Sequence, residues 1–165
     1  MTNDFTMHHR MMLRYHKEGL TLEEFRDIDA ITEYQAGNLE KLADYLLALP
    51  EDYDKFNMSY LMFYLDEMNA RDFVEELPEC GAVACALGHA PAAGVPYKKD
   101  EYWTQMGQRE LGLNMDPVGQ NSYSMGVMWD YCFTGSWHEF DNTPQGAGQR
   151  IKNFLLLARE GGFVR

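Results

Sequence analysis

The sequence holds few of the groups that announce a chemistry. Its three cysteines, Cys80, Cys85 and Cys132, are an odd number and too few for the disulfide framework of a small secreted domain. Cys80 and Cys85 could bridge only with their Cα atoms within about 7 Å, and five residues apart on one helix they would face different ways. No apolar run approaches the roughly 20 residues needed to cross a bilayer. The opening MTNDFTMHHRMMLRYHKEG lacks the apolar centre and small-residue cleavage site of a signal peptide, so a cytoplasmic location and no membrane partner are expected. GQNSYSMG and GHAPAAG fit neither glycine-rich phosphate-loop pattern, and no cofactor is expected. Bases are scarce, 14 Lys and Arg against 26 Asp and Glu. Direct binding to a phosphate backbone needs the opposite balance and is not expected.

What the chain does have is core material. Apolar residues make up 45 % and aromatics 13 % of 165 residues, enough for one compact domain spanning 1–165. The net charge of −12 is unevenly placed. Residues 1–20 carry two acids and three bases, residues 21–79 sixteen acids and four bases, and residues 80–165 eight acids and seven bases. The imbalance therefore lies between Thr21 and Glu79.

Helical spacing dominates. Met7, Met11, Met12 and Tyr15 put a helix over about Phe5–Lys17, stopped at Gly19 and placed at the periphery of the domain. Thr21-Leu-Glu-Glu24 reads as a capping box opening a segment with Phe25, Ile28 and Ile31 at three-residue intervals. Gly37 and Asn38 interrupt, and Leu39, Leu42, Ala43, Leu46 and Leu47 then form an amphipathic helix ended by Pro50. Phe56, Met58 and Tyr60 alternate with polar residues and suit a short extended piece, with Leu61–Leu65 a buried run. Lys99–Leu111 reads as a helix with Tyr102, Trp103 and Met106 inward, and Ser122–Phe133 as another. Thr143 as N-cap, Pro144 at the first helical position and Gly161-Gly162 bound the last helix, whose buried stripe is Ile151, Phe154, Leu155 and Ala158. The fold class is mainly α, a single compact domain of five to seven helices with room for one small β-hairpin.

CGAVACALGH, residues 80–89, brings two cysteines and a histidine together. Between Pro78 and Pro91 it reads as about three turns of a small-residue central helix, its cysteines acting as small hydrophobes. His89 in the last turn can bond a free carbonyl. No catalytic residue and no metal ligand is assigned. Two chemical alternatives stand beside packing. Cys80 or Cys85 could be a nucleophile in a hydrolase or transferase, with His89 or His138 as base and Asp141 or Asn142 orienting His138. For Cys80, one helix would separate it from His89 by roughly 13 Å along the axis. Cys85 and His89, at i, i+4, could instead share a structural metal with Cys132 or His138, although zinc sites ordinarily show paired ligands on both sides. His8, His9 and His16 fall on a surface helix.

KFNMSYL, CGAVACALGHA, RELGLN, WDYCFTGSW and NTPQGAGQRIKNFL occur in that order over Leu39–Leu157. This ordered set resembles a family of small phage and bacterial proteins with an F-[DN]-M motif, a C-G-x-x-x-C-x-x-G-H-A core, L-G-L and a closing helix opened by T-P and containing R-I. Ala82 stands where the family has threonine, and Cys132 where it has an apolar residue, a drift that a metal ligand should not show. The resemblance implies a phage or mobile-element setting and carries no catalytic assignment.

With no complete catalytic set and one concentrated acidic block, the expected function is binding of a protein partner with a basic surface, such as a host nucleic-acid-handling or defence complex. The residues expected to carry it are Glu23, Glu24, Asp27, Asp29 and Glu33, with Asp66, Glu67, Asp72, Glu75 and Glu76.

Overall fold

A computed structural model describes residues 4–25, 30–58, 85–98, 101, 103–113 and 126–165. Helix α1, Asp4–Glu18, ends where Gly19 takes a left-handed conformation (φ 77°) and returns its N–H to the Tyr15 carbonyl at 3.0 Å. Met12 and Tyr15 of α1 are buried, so the helix expected at the periphery contributes to the core. Only half of the Thr21–Glu24 box forms: the Thr21 amide donates to Glu24 Oε2 at 2.8 Å, but the Thr21 hydroxyl donates to the same carboxylate instead of accepting a first-turn N–H, and a 3₁₀ turn, Leu22–Phe25, follows.

Helix α2 is Glu33–Ala48 and runs straight through Gly37 and Asn38, where an interruption was expected. Thr32 caps it in a reciprocal box with Gln35, at 3.1 Å and 3.0 Å. Asn38 stays helical because its amide is engaged across the core rather than with its own backbone. Leu49 is the C-cap, next to Pro50.

Helix α3, Trp103–Met106, widens into a π-turn over Gly107–Leu111 and stops at Gly112, φ 75°. Helix α4, Gly126–Met128, does the same over Trp129–Phe133. A 3₁₀ turn, Gly135–Glu139, leads to helix α5, Pro144–Glu160. Thr143 Oγ1 accepts from the Gly146 amide at 3.0 Å, and Gly161 and Gly162 close the helix as the sequence requires.

Among the described elements α2 and α5 make the most extensive helix pair, with Leu39, Leu42, Ala43 and Leu46 in the same buried cluster as Ala147, Ile151, Phe154 and Leu155. The last residues fold back beside α2. Ile31 and Val164 form an isolated parallel bridge, with Ile31 N–H to the Phe163 carbonyl and Arg165 N–H to the Ile31 carbonyl, both 2.9 Å. The chain is thus mainly helical, a single compact helical domain. Among the described residues there is no hairpin; Phe56 takes part in a β-bridge, in keeping with an extended piece there, and Met58 lies in a turn.

The second half of the small-residue stretch is not an α-helix. Leu87–His89 is a 3₁₀ turn, followed by turns to Gly94. The His89 N–H is shared between the Cys85 and Ala86 carbonyls at 3.3 and 3.2 Å. Pro91 and Pro96 supply no N–H, so an α-helical ladder cannot continue past Ala90. Residues 80–84 lie outside the described residues.

Candidate functional site

Cys85 and His89 are both fully buried. Their contact runs through the Cys85 backbone: His89 Nδ1–H donates to the Cys85 carbonyl at 2.8 Å. A carbonyl only accepts, so Nδ1 carries the proton and Nε2 presents its lone pair. Tyr45, Tyr53 and Phe56 surround the imidazole at 6.2, 5.8 and 5.6 Å between ring centres. Burial lowers the His89 pKa, and the carbonyl only partly offsets this, so the ring is neutral at pH 7. As expected from the sequence it bonds a nearby backbone carbonyl, but from a 3₁₀ turn and not from the last turn of an α-helix.

The alternative base, His138, donates Nδ1–H to the Gly135 carbonyl at 2.8 Å. The two residues expected to orient it are engaged elsewhere. Asn142 Oδ1 accepts the Met58 amide at 2.8 Å, and Asp141 faces Arg150 and Thr143. Cys132 is buried, its thiol 4.0 Å from the Arg150 carbonyl, and burial pushes its pKa far up. Among the described residues, His138 is therefore not oriented by Asp141 or Asn142, and no group of three or more His, Cys, Asp or Glu could hold a metal. Cys80 lies outside the described residues.

Of the acids expected to meet a partner, Asp27, Asp29, Asp66, Glu67, Asp72, Glu75 and Glu76 lie outside the described residues. Glu23 and Glu33 are exposed. Glu33 accepts from Arg159 Nη1 at 3.0 Å, and Glu24 is tied to Arg14 and Thr21. Lys152 of α5 pairs with Glu40 and, at 2.6 Å, with Asp44. The histidines of α1 lie against the 135–140 segment: His8 Nε2 is 2.8 Å from Ser136 Oγ, and the His9 and His16 rings lie tilted to Phe140 at 5.5 and 5.7 Å between ring centres.

Two buried polar centres carry residues that the sequence reading passed over. In the first, Asn38 donates to both the carbonyl and Oε2 of Glu110, each at 3.0 Å, and Tyr34 donates to the same carboxylate. Arg109 joins Glu110 (Nε to Oε1, 2.9 Å) to Glu101, which takes Nη2 at 2.7 Å and Nη1. Burial would raise the Glu101 pKa, but Arg109 and the Lys98 amide outweigh it and hold the carboxyl below its usual value. The network is satisfied and ties α2 to the π-turn of α3.

In the second centre, Arg150 is 5 % exposed and Trp137 2 %. The Arg150 ζ-carbon lies 4.0 Å from the centre of the Trp137 ring, a stacked cation–π contact. Nη1 is 3.5 Å from Asp141 Oδ2, and Asp141 is oriented by the Thr143 hydroxyl at 2.6 Å. Nε and Nη2 of Arg150 and Nε1 of Trp137 are buried without a hydrogen-bond partner. Burial lowers the Arg150 pKa to about 10, with Asp141 opposing, so the side chain remains a cation at neutral pH.

A signal for both centres was present. Arg150 shares the inward stripe of Ala147, Ile151 and Phe154, and Glu110 follows Trp103 and Met106 at the same spacing. A charge on an apolar stripe must be paired inside the fold or hold something there. Comparison with known proteins finds no family model, no curated protein and no solved structure that matches the chain.

Proposed function

We propose that the chain works by binding a protein partner with a basic surface through the acids of its front half. The charge distribution carries the reading: residues 21–79 hold sixteen acids and four bases, and the rest of the chain is nearly balanced. On α2 and the turn after it, Glu33, Asp44, Glu51, Asp52 and Asp54 are exposed. Lys152 and Arg159 draw Glu33, Glu40 and Asp44 along one edge of this face, while Glu51, Asp52 and Asp54 follow one another with only Lys55 beside them in sequence. A dense patch of one sign steers association with the opposite sign and weakens with salt. The resemblance to small phage proteins supports a host nucleic-acid-handling or defence complex as partner and an inhibitory role, the carboxylates standing loosely for phosphates.

Partner capture from the source cell with the natural chain and with the triple variant Glu51→Lys, Asp52→Lys, Asp54→Lys tests this. Basic proteins should be retained by the natural chain, lost by the variant, and released as salt is raised from about 0.05 to 0.5 M, where the screening length falls below roughly 5 Å. Recovery of the same partners by both chains would overturn the proposal.

A further inference from the structure

We infer that Arg150 and Trp137 form a binding site for a small oxyanion, a carboxylate or a phosphate group, held by the Nε–Nη2 edge of the guanidinium. That edge presents two N–H groups side by side, the fork that takes two oxygens of one carboxylate or phosphate. Two other sides of the Arg150 head have a neighbour. Trp137 covers one face of the plane at 4.0 Å, and Asp141 stands off Nη1 at 3.5 Å. The remaining edge, Nε and Nη2, has no hydrogen-bond partner although it is buried, and neither has Nε1 of Trp137.

A buried N–H without an acceptor destabilises the fold, and more so on a charged group. Two such nitrogens share one edge of Arg150, and the third is on the indole stacked against it, so a small acceptor at the guanidinium edge would satisfy donors that the fold leaves orphaned. Asp141 does not fill this role: its ion pair is longer than the 2.7–2.9 Å of a charge-assisted hydrogen bond, and it lies on the other side of the head. The neighbouring Cys132 and Tyr131 add no charge, since burial raises the pKa of both. The site sits behind the Gly135–Glu139 turn, where Ser136 and Asp141 are partly exposed, and His16 of α1 lies against the Trp137 ring at 6.4 Å. The proposal is independent of the acidic face and needs no protein partner.

The test is a titration followed by NMR of the Arg Nε–H and Trp Nε1–H signals, with inorganic phosphate in one arm and acetate in the other. Chloride holds the ionic strength constant. The expected result is a saturable shift of both the Arg150 and Trp137 signals in one arm, which also identifies the oxyanion. Arg150→Lys, which keeps the charge and loses the fork, should weaken binding at least tenfold while keeping a folded spectrum. Should that variant fail to fold, Trp137→Phe provides the second measurement: it removes one donor and should weaken binding several-fold, with the Arg150 Nε–H still shifting. No saturable shift in either arm, or equal binding by the natural chain and whichever variant folds, would overturn the site.

Discussion

Gly148 of α5 lies directly against Ala43 of α2: a Cβ at position 148 would stand 2.9 Å from the Ala43 carbonyl oxygen and 2.8 Å from Leu47 Cγ. The two helices approach as closely as a glycine allows, and the carbonyl cannot move without disturbing α2.

Gly148→Ala should therefore destabilise the domain despite its better helix propensity. Overpacking of this kind costs about 1–3 kcal/mol, which for a chain of this size lowers Tm by roughly 2–12 °C. Thermal unfolding of the two chains decides it. An unchanged or higher Tm would mean that α5 is not seated on α2 as described.

The Asn38 amide holds the buried Glu110 carboxylate. Asn38→Leu keeps the volume and removes the donor, leaving the carboxylate with Tyr34 and Arg109. The expected loss is about 1–3 kcal/mol, measured by urea denaturation. The double variant Asn38→Leu, Glu110→Gln should lose less than the sum of its parts, because the charge stranded by the first change is removed by the second.

Two buried groups pull the pH dependence in opposite directions. His89 has a folded pKa below its unfolded value of 6.5, chiefly through burial. Its contribution is present above pH 6.5 and is lost as pH falls from there toward the folded pKa. Asp130 has a folded pKa raised by burial from 3.8 to about 6. The folded state binds its proton more tightly, so its contribution is present in full below pH 3.8 and is lost as pH rises from there through about 6, a cost on the order of 1–2 kcal/mol after allowing for its partial exposure. Asp130→Asn should raise stability at pH 7.5 and flatten the profile between pH 4 and 6. A variant less stable than the natural chain at pH 7.5 would count against the burial of that carboxyl.

Cys85 and Cys132 are fully buried. Iodoacetamide at pH 7.5 should leave both unmodified in the folded chain and label both in urea, as read by mass spectrometry of peptides. Rapid labelling of Cys85 under native conditions would revive a cysteine nucleophile at this position.

Local chemistry alone determined the parts of this protein whose signals act within a few residues. Thr143, Pro144 and the Gly161-Gly162 pair fix the ends of α5, because an N-terminal acceptor, a preset φ and a flexible exit need no partner from elsewhere. The apolar spacing likewise gave the helical class and the inward stripe of α5. Tertiary structure decided the rest. Gly37 and Asn38 look like a break and are helical because Glu110, 72 residues away, accepts the Asn38 amide. Which acids are spoken for, Glu33 by Arg159 and Glu40 and Asp44 by Lys152, depends on α5 lying beside α2. Arg150 was visible as a charge on an apolar stripe. That two of its nitrogens are buried without an acceptor follows only from the fold, since burial and pairing are properties of neighbours distant in sequence.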